Sequence, residues 1–131
     1  MNPKGGAGAD LAAAAERLRR SGVRRVESYA WRDLDDAEAG GSELHADEIF
    51  RRWADVGIEI VHRTSTRDAP REFDRNGYRV IQRGGRYDVF ARVVLRQLVR
   101  RRPNGTATIE IWNGVPWFGP LWAPRRRLVW M

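Results

Sequence analysis

Gly40-Gly41-Ser42-Glu43-Leu44-His45 opens the stretch that decides the fold, and Gly57-Ile58-Glu59-Ile60-Val61-His62 closes it. Between these two segments, four apolar residues repeat at the spacing of one buried helix face: Ala46, Ile49, Phe50 and Trp53. Ser42 is a suitable N-cap, and Gly57 is expected to end the helix and lead into a strand. A glycine-rich turn, a helix and a strand in this order predict an α/β unit whose helix start offers backbone N–H groups to an anion.

Strands and helices alternate along the rest of the chain. Residues 1–8 are predicted to be a flexible leader, and 64–77 a long loop that is either functional or partly structured, because its charges follow no period. The other predicted elements are a helix capped by Asp10 and ended by Ser21-Gly22, strands at 23–29, 58–63, 78–83, 107–111 and 128–130, and a helix at 87–102. This alternation predicts an α/β fold with a Rossmann-like, open, mostly parallel sheet and helices packed on it.

Composition limits the class of protein. The chain has 131 residues, enough for one domain with a real core, and a formal net charge of +7 in which Lys4 is the only lysine among 24 basic residues. It has no cysteine, no apolar run of membrane-spanning length and no apolar core of a secretory signal at its start. A cytoplasmic location is therefore the default expectation.

Two arginine clusters, Arg100-Arg101-Arg102 and Arg125-Arg126-Arg127, are candidate contacts for an anionic surface. They could bind acidic lipid headgroups at the inner face of a membrane, or phosphorylated ligands. The alternative for the first cluster is a solvated helix end whose cations complement the helix dipole. Nucleic acid is an unlikely partner because the chain carries no recognised nucleic-acid-binding motif.

Two segments are candidate binding sites. The first is Gly40, Gly41 and Ser42, where free amides could bind a phosphate, the alternative being an ordinary strand-to-helix turn. The second follows the predicted fourth strand and combines an acid, an aromatic ring, an amide and a glycine: Glu110, Trp112, Asn113 and Gly114. These groups suit a sugar or a base, although burial against another domain explains the aromatic residues equally well. His45 lies one turn into the helix and could contact a ligand, whereas two histidines are too few for a metal site, so no metal is expected.

Four segments in order together resemble the amino-terminal domain of the family 4 glycosyltransferases of the GT-B fold. They are Trp31 to His45, Asp55-Val56-Gly57-Ile58-Glu59-Ile60, Asn76-Gly77-Tyr78-Arg79-Val80, and Glu110-Ile111-Trp112-Asn113-Gly114-Val115-Pro116. The resemblance divides the chain into a leader with one helix at 1–22 and a glycosyltransferase 4-like domain at 23–131. Because the chain stops within an apolar strand, this domain is expected to be incomplete at its C-terminal end.

The resemblance implies a retaining transferase that passes a hexosyl group from a nucleotide diphosphate sugar to a hydroxyl acceptor without a bound cofactor. Gly40, Gly41 and Ser42 would bind the donor diphosphate, while His45 and the Glu110 to Gly114 segment would line the acceptor side or the cleft. The second GT-B domain, which grips the nucleotide in this family, is missing, so residues 1–131 alone are expected to transfer no sugar. No residue is assigned a catalytic role, and the donor, the acceptor and the oligomeric state stay open.

Two alternatives from other classes remain at this point. A non-catalytic α/β binding module would use the tryptophans as an interface. A basic nucleic-acid-binding domain would explain the arginines and would bind with steep salt dependence. The Gly40 to Ser42 turn distinguishes them from a transferase, because only the transferase needs it for a diphosphate.

Overall fold

A computed structural model of the chain describes residues 4–85, 91–92, 94–96, 104–111 and 127–130. The described helices and strands are α1 (Lys4–Arg20), β1 (Arg25–Ala30), α2 (Gly41–Asp55), β2 (Glu59–Thr64), β3 (Arg71–Arg75), β4 (Tyr78–Gln82), β5 (Thr106–Ile111) and β6 (Arg127–Trp130). Of the helix predicted at 87–102, residues 91–92 and 94–96 are helical, and the rest of it lies outside the described residues.

The strands form one sheet in the order β3-β4-β2-β1-β5-β6. Only β3 is antiparallel to its neighbour, whereas the other four pairings are parallel. The prediction of a Rossmann-like, mostly parallel α/β sheet is therefore confirmed. Because strand order runs from β1 through β2 to β4 on one side and from β5 to β6 on the other, the carboxyl ends of β1 and β5 form the topological switch point.

One face of the sheet packs against α1 and α2 and forms the apolar core. The predicted stripe of α2 supplies Ala46 and Phe50, both buried, with Ile49 and Trp53 packed beside them. Gly57 ends α2 with φ +87°, and its amide donates to the Ala54 carbonyl, as predicted. The core also contains Ile58, which precedes β2, and alternating residues of three parallel strands: Val26, Ala30, Ile60, Ile109 and Ile111.

The amino-terminal helix is longer than predicted. Helix α1 already begins at Lys4, so Asp10 lies inside it rather than at its cap, and residues 4–8 are helical rather than a flexible leader. A Cβ at Gly8 would lie 3.0 Å from Nη1 at the tip of the flexible Arg52 side chain of α2, so the two helices are in contact there. Ala15 is fully buried in the core, which makes α1 part of the same packed unit.

The segment predicted as a loop at 64–77 contains strand β3. It pairs antiparallel with β4 from Arg71 opposite Gln82 to Arg75 opposite Tyr78. The two residues between these strands, Asn76 (φ 48°) and Gly77 (φ +86°), form a hairpin turn with positive φ at both positions. The Asn-Gly pair was the signal for this hairpin, and alternating charges on β3 hid the strand.

We expect Gly77→Ala to lower the free energy of unfolding by about 1 kcal/mol, because an L-residue at this φ is strained. Packing adds little, since a Cβ there would lie 3.5 Å from the Ala54 Cβ, an ordinary contact. Urea unfolding measures the change. The matched control is Gly41→Ala, where a Cβ meets nothing within 4 Å, and an equal loss in the control would contradict the strain argument.

The second face of the sheet differs in chemistry from the first. It buries an unusual number of polar side chains: Glu27, Tyr29, Arg63, Thr108 and Glu110. In register, Tyr29 lies between Arg63 on β2 and Glu110 on β5, so these polar groups cross the middle of the sheet. Within the described ranges, no helix combines the length and apolarity required to cross a bilayer.

Candidate functional site

The start of α2 lies at the carboxyl edge of the sheet, beside the switch point. Strand β1 ends at Ala30, and residues 31–40 lead from there to the first turn of α2. Gly40, Gly41 and Ser42 are all exposed, and a Cβ added to Gly41 would meet no atom within 4 Å. This helix start is therefore accessible to a ligand, and it lies at the edge of the sheet where open α/β proteins bind their ligands.

The capping of α2 differs from the prediction. The N-cap is Gly40 rather than Ser42, and because glycine has no side chain, only half of a capping box forms: the Gly40 amide donates to Oε2 of Glu43 at 2.7 Å. The Gly40 amide is thus already bonded within the protein. The amides of Gly41 and Ser42, in the first turn, are the donors that helix geometry leaves for water or a ligand. Diphosphate binding by Gly40, Gly41 and Ser42 stays a prediction.

A small cavity lies beneath this helix start. It measures about 10 Å³, roughly the space of one water, and three carboxylates line it together with other groups: Asp33, Glu43 and Asp47. Neither its size nor its charge suits a phosphate. An anion bound by the helix must therefore lie on the outer, solvent side of Gly41 and Ser42.

Asp33 is the centre of a buried polar network behind the loop of residues 31–40. It is only 3 % exposed, and its two carboxylate oxygens accept hydrogen bonds from Nη1 and Nη2 of Arg75 at 2.8 and 2.9 Å. Nε2 of Gln82 donates to Asp33 Oδ2 at 2.6 Å and to Asp35 Oδ1 at 2.9 Å. Arg71 pairs with Asp35 at 2.5 Å. The β3–β4 hairpin thereby holds the loop that leads to α2.

The protonation of this network follows from its burial and pairing. Burial alone would favour the neutral acid, but the hydrogen bonds and the charge of Arg75, the nearby His62 and the Leu34 amide together outweigh it and lower the pKa of Asp33 to about 2. Burial lowers the pKa of His62 to about 4, against the opposing attraction of Asp33. At neutral pH the pair is therefore an aspartate and an uncharged imidazole.

Ser28, His62 and Asp33 are arranged like a nucleophilic triad but cannot act as one. Nδ1 of His62 lies 3.1 Å from Ser28 Oγ, whereas its Nε2 lies 3.6 Å from Asp33, beyond hydrogen-bond distance. Ser28 is fully buried in the middle of β1, so no substrate carbonyl can reach its hydroxyl. These residues stabilise the fold. The network has no signal in the local sequence, because Asp33 is one acid among several in an acidic loop.

An open cleft of about 260 Å³ runs along the carboxyl edge, between the loop of residues 31–40 and the connection from β2 to β3. Its lining is polar: Asp33, Asp35, Asp36, Ser65, Thr66, Arg67, Asp68, Arg71 and Gln82, with Ala37. Ser65 Oγ donates to the Trp31 carbonyl at 2.5 Å, which ties the two walls together. Carboxylates, hydroxyls and an amide in one cleft can hydrogen-bond a ligand rich in hydroxyl groups.

The remaining predicted site residues do not converge on this cleft. His45 is exposed on α2. Glu110 is fully buried. Its neighbours Ile109 and Ile111 face the helices, so Glu110, which alternates with them along β5, lies on the second face of the sheet. Trp112, Asn113 and Gly114 lie outside the described residues, as do both arginine clusters except Arg127. The acceptor role of these residues and the membrane contact stay predictions.

Comparison of the chain with protein-family models, curated proteins and solved structures finds no match. Within the described part of the chain, no group of three or more acidic or histidine side chains could hold a metal ion. Any functional assignment therefore rests on the geometry of the helix start and of the cleft, and on the sequence segments described above.

Proposed function

We propose that this chain is the acceptor-side domain of a retaining glycosyltransferase that uses a nucleotide diphosphate sugar and works together with a second domain. The observation that carries the proposal is the exposed amino-terminal turn of α2 at the carboxyl edge of a Rossmann-like sheet, next to the switch point. The resemblance of four ordered sequence segments to family 4 glycosyltransferases supports it independently. Fold alone would not, since many activities share this architecture.

In this proposal the donor diphosphate binds outside the first turn of α2. The amides of Gly41 and Ser42 and the helix dipole stabilise the charge that grows on the leaving phosphate as the glycosidic bond breaks. Gly40 can add its amide only if the Glu43 side chain rotates away, because Glu43 accepts that hydrogen bond. The acidic cavity behind the helix keeps the phosphate on the outer side.

The acceptor in this proposal is a hydroxyl compound held in the open cleft. Asp35 and Asp36 on one wall, and Ser65 and Thr66 on the other, offer acceptors and donors suited to hydroxyl groups. The ion pairs of Arg71 and Arg75 fix the first wall, so the cleft is preformed. Binding to a preformed site avoids the entropy cost of ordering a loop.

Inorganic pyrophosphate can be titrated into ¹⁵N-labelled residues 1–131, and we expect it to shift the amide resonances of Gly41 and Ser42. The dissociation constant should be about 1 mM or weaker, because one helix end without a charged side chain beside it binds an anion only weakly. Gly41→Leu should remove these shifts by covering the amides. Gly6→Leu is the matched control, because both glycines have open space at Cβ. Equal binding by both variants, or shifts elsewhere only, would refute the donor site.

A further inference from the structure

Arg63 is a buried arginine on the second face of the sheet, and within the described residues its guanidinium makes no direct ion pair. It is the penultimate residue of β2 and only 6 % exposed. Its Nε is buried and has no hydrogen-bond partner, and no carboxylate among the described residues forms an ion pair with it. Arg75 shows the contrast, because its guanidinium makes two hydrogen bonds to Asp33.

An unpaired guanidinium in this position is costly. Arginine stays protonated in proteins, so it cannot escape burial by losing its charge. Removing such a charge from water without a direct partner costs far more free energy than a typical hydrogen bond returns. A bound anion is the partner that would offset this cost.

Charged groups from several elements surround Arg63 without forming an ion pair with it among the described residues. Burial first, and then the nearby positive charge of Arg96, lower the pKa of Arg63, and Arg25 acts in the same direction. Glu27 and Tyr29 act in the opposite direction. Glu27 is already engaged, since it accepts from Tyr29 Oη at 2.7 Å and from Arg25 Nη2 at 3.3 Å. Arg25 also pairs with Glu59 at 2.7 Å, and Glu110 lies on the same face on the far side of Tyr29, so the nearby carboxylates are held by other groups or lie away from Arg63.

We propose that Arg63 binds an oxyanion, a phosphate or carboxylate group, on the second face of the sheet. The planar guanidinium matches both groups through paired N–H donors. Arg63 lies one residue from the carboxyl end of β2, so a ligand enters from the edge of the sheet where α/β proteins bind their ligands. This site lies on the face opposite α2 and does not rest on the proposed transferase activity.

The test is thermal unfolding of residues 1–131 in sodium phosphate, sodium acetate and sodium chloride at equal ionic strength and pH 7.5. We expect phosphate, acetate or both to raise the Tm by roughly 4 °C over chloride at about ten times the dissociation constant. Stabilisation by phosphate alone assigns a phosphate ligand, and stabilisation by acetate assigns a carboxylate.

Arg63→Met decides the origin of that shift. It should raise the Tm in chloride, because a residue of similar length replaces an unpaired buried charge, and it should abolish the anion response. Arg79→Met, an exposed arginine on the neighbouring strand, and Gly41→Leu should both keep the response. A lower Tm or a failure to fold for Arg63→Met, or an anion response that survives in it, would overturn the proposal. Loss of pyrophosphate binding at α2 would not affect it.

Discussion

Replacing Asp33 with asparagine is expected to lower the free energy of unfolding by about 3 kcal/mol, since it removes the buried carboxylate that pairs with Arg75 and leaves only the more distant Asp35, at 3.8 Å, as a charged partner. Arg75 keeps only 15 % of its side chain exposed, so water cannot compensate for the lost carboxylate. The same change replaces the charged acceptor of the Gln82 amide by a weaker, neutral one, which loosens the loop of residues 31–40. Urea unfolding of the wild-type chain and the variant measures the loss.

Asp74→Asn is the matched control for this experiment. Asp74 lies next to Arg75 on β3 but is exposed, and exposed charges contribute little to stability. We expect its substitution to change the free energy of unfolding by less than about 0.5 kcal/mol. If Asp33→Asn were equally mild, the network around Asp33 would not hold the loop, and the preformed cleft would lose its physical basis.

Stability should also fall in mild acid because of His62. Its folded pKa of about 4 lies below the ordinary histidine value of 6.5, so the unfolded chain takes up the proton first as pH falls. The free energy of unfolding should therefore decrease by about 2 kcal/mol between pH 6.5 and 4.5. The contribution of Asp33 has the same sign, because its folded pKa of about 2 also lies below its ordinary value of 3.8, and it is lost only at lower pH, as pH falls from about 3.8 towards 2.

The two histidines of the chain provide the control for this pH dependence. His62→Gln removes the buried imidazole and should flatten the profile between pH 6.5 and 4.5, whatever its effect on absolute stability. His45→Gln changes an exposed histidine and should leave the profile unchanged. Denaturant unfolding at a series of pH values tests both, and a slope that persists in His62→Gln would assign the acid sensitivity to other groups.

The parallel core could be predicted from the sequence because its signals are local. The α2 stripe, its closure at Gly57 and the β-rich segments at 58–63 and 107–111 have clear periods, and the structure confirms them. Strand β3 could not be predicted in the same way. It is an edge strand of alternating charges, whose pairing depends on β4 and on the turn at Asn76-Gly77 rather than on its own hydrophobicity.

The candidate site could be predicted only in part. The glycine-rich start of α2 and its place at the carboxyl edge follow from local sequence, whereas its capping depends on Glu43, whose side chain turns back to Gly40. The network of Asp33, Arg75 and Gln82 joins residues 42 and 49 positions apart, so no local pattern could reveal it. The same is true of Arg63, whose unusual environment depends on burial from several strands.

Strand β3 has a consequence for self-association. Without it, β4 would present an open row of backbone donors and acceptors beside Val80 and Ile81, which is a template for joining another chain. The hairpin covers that row with a border of only five residues, four of which are charged and none β-branched. A strand of another molecule that approached this edge would meet arginines and carboxylates instead of apolar side chains. The charged edge strand therefore protects the protein against growth into fibrils.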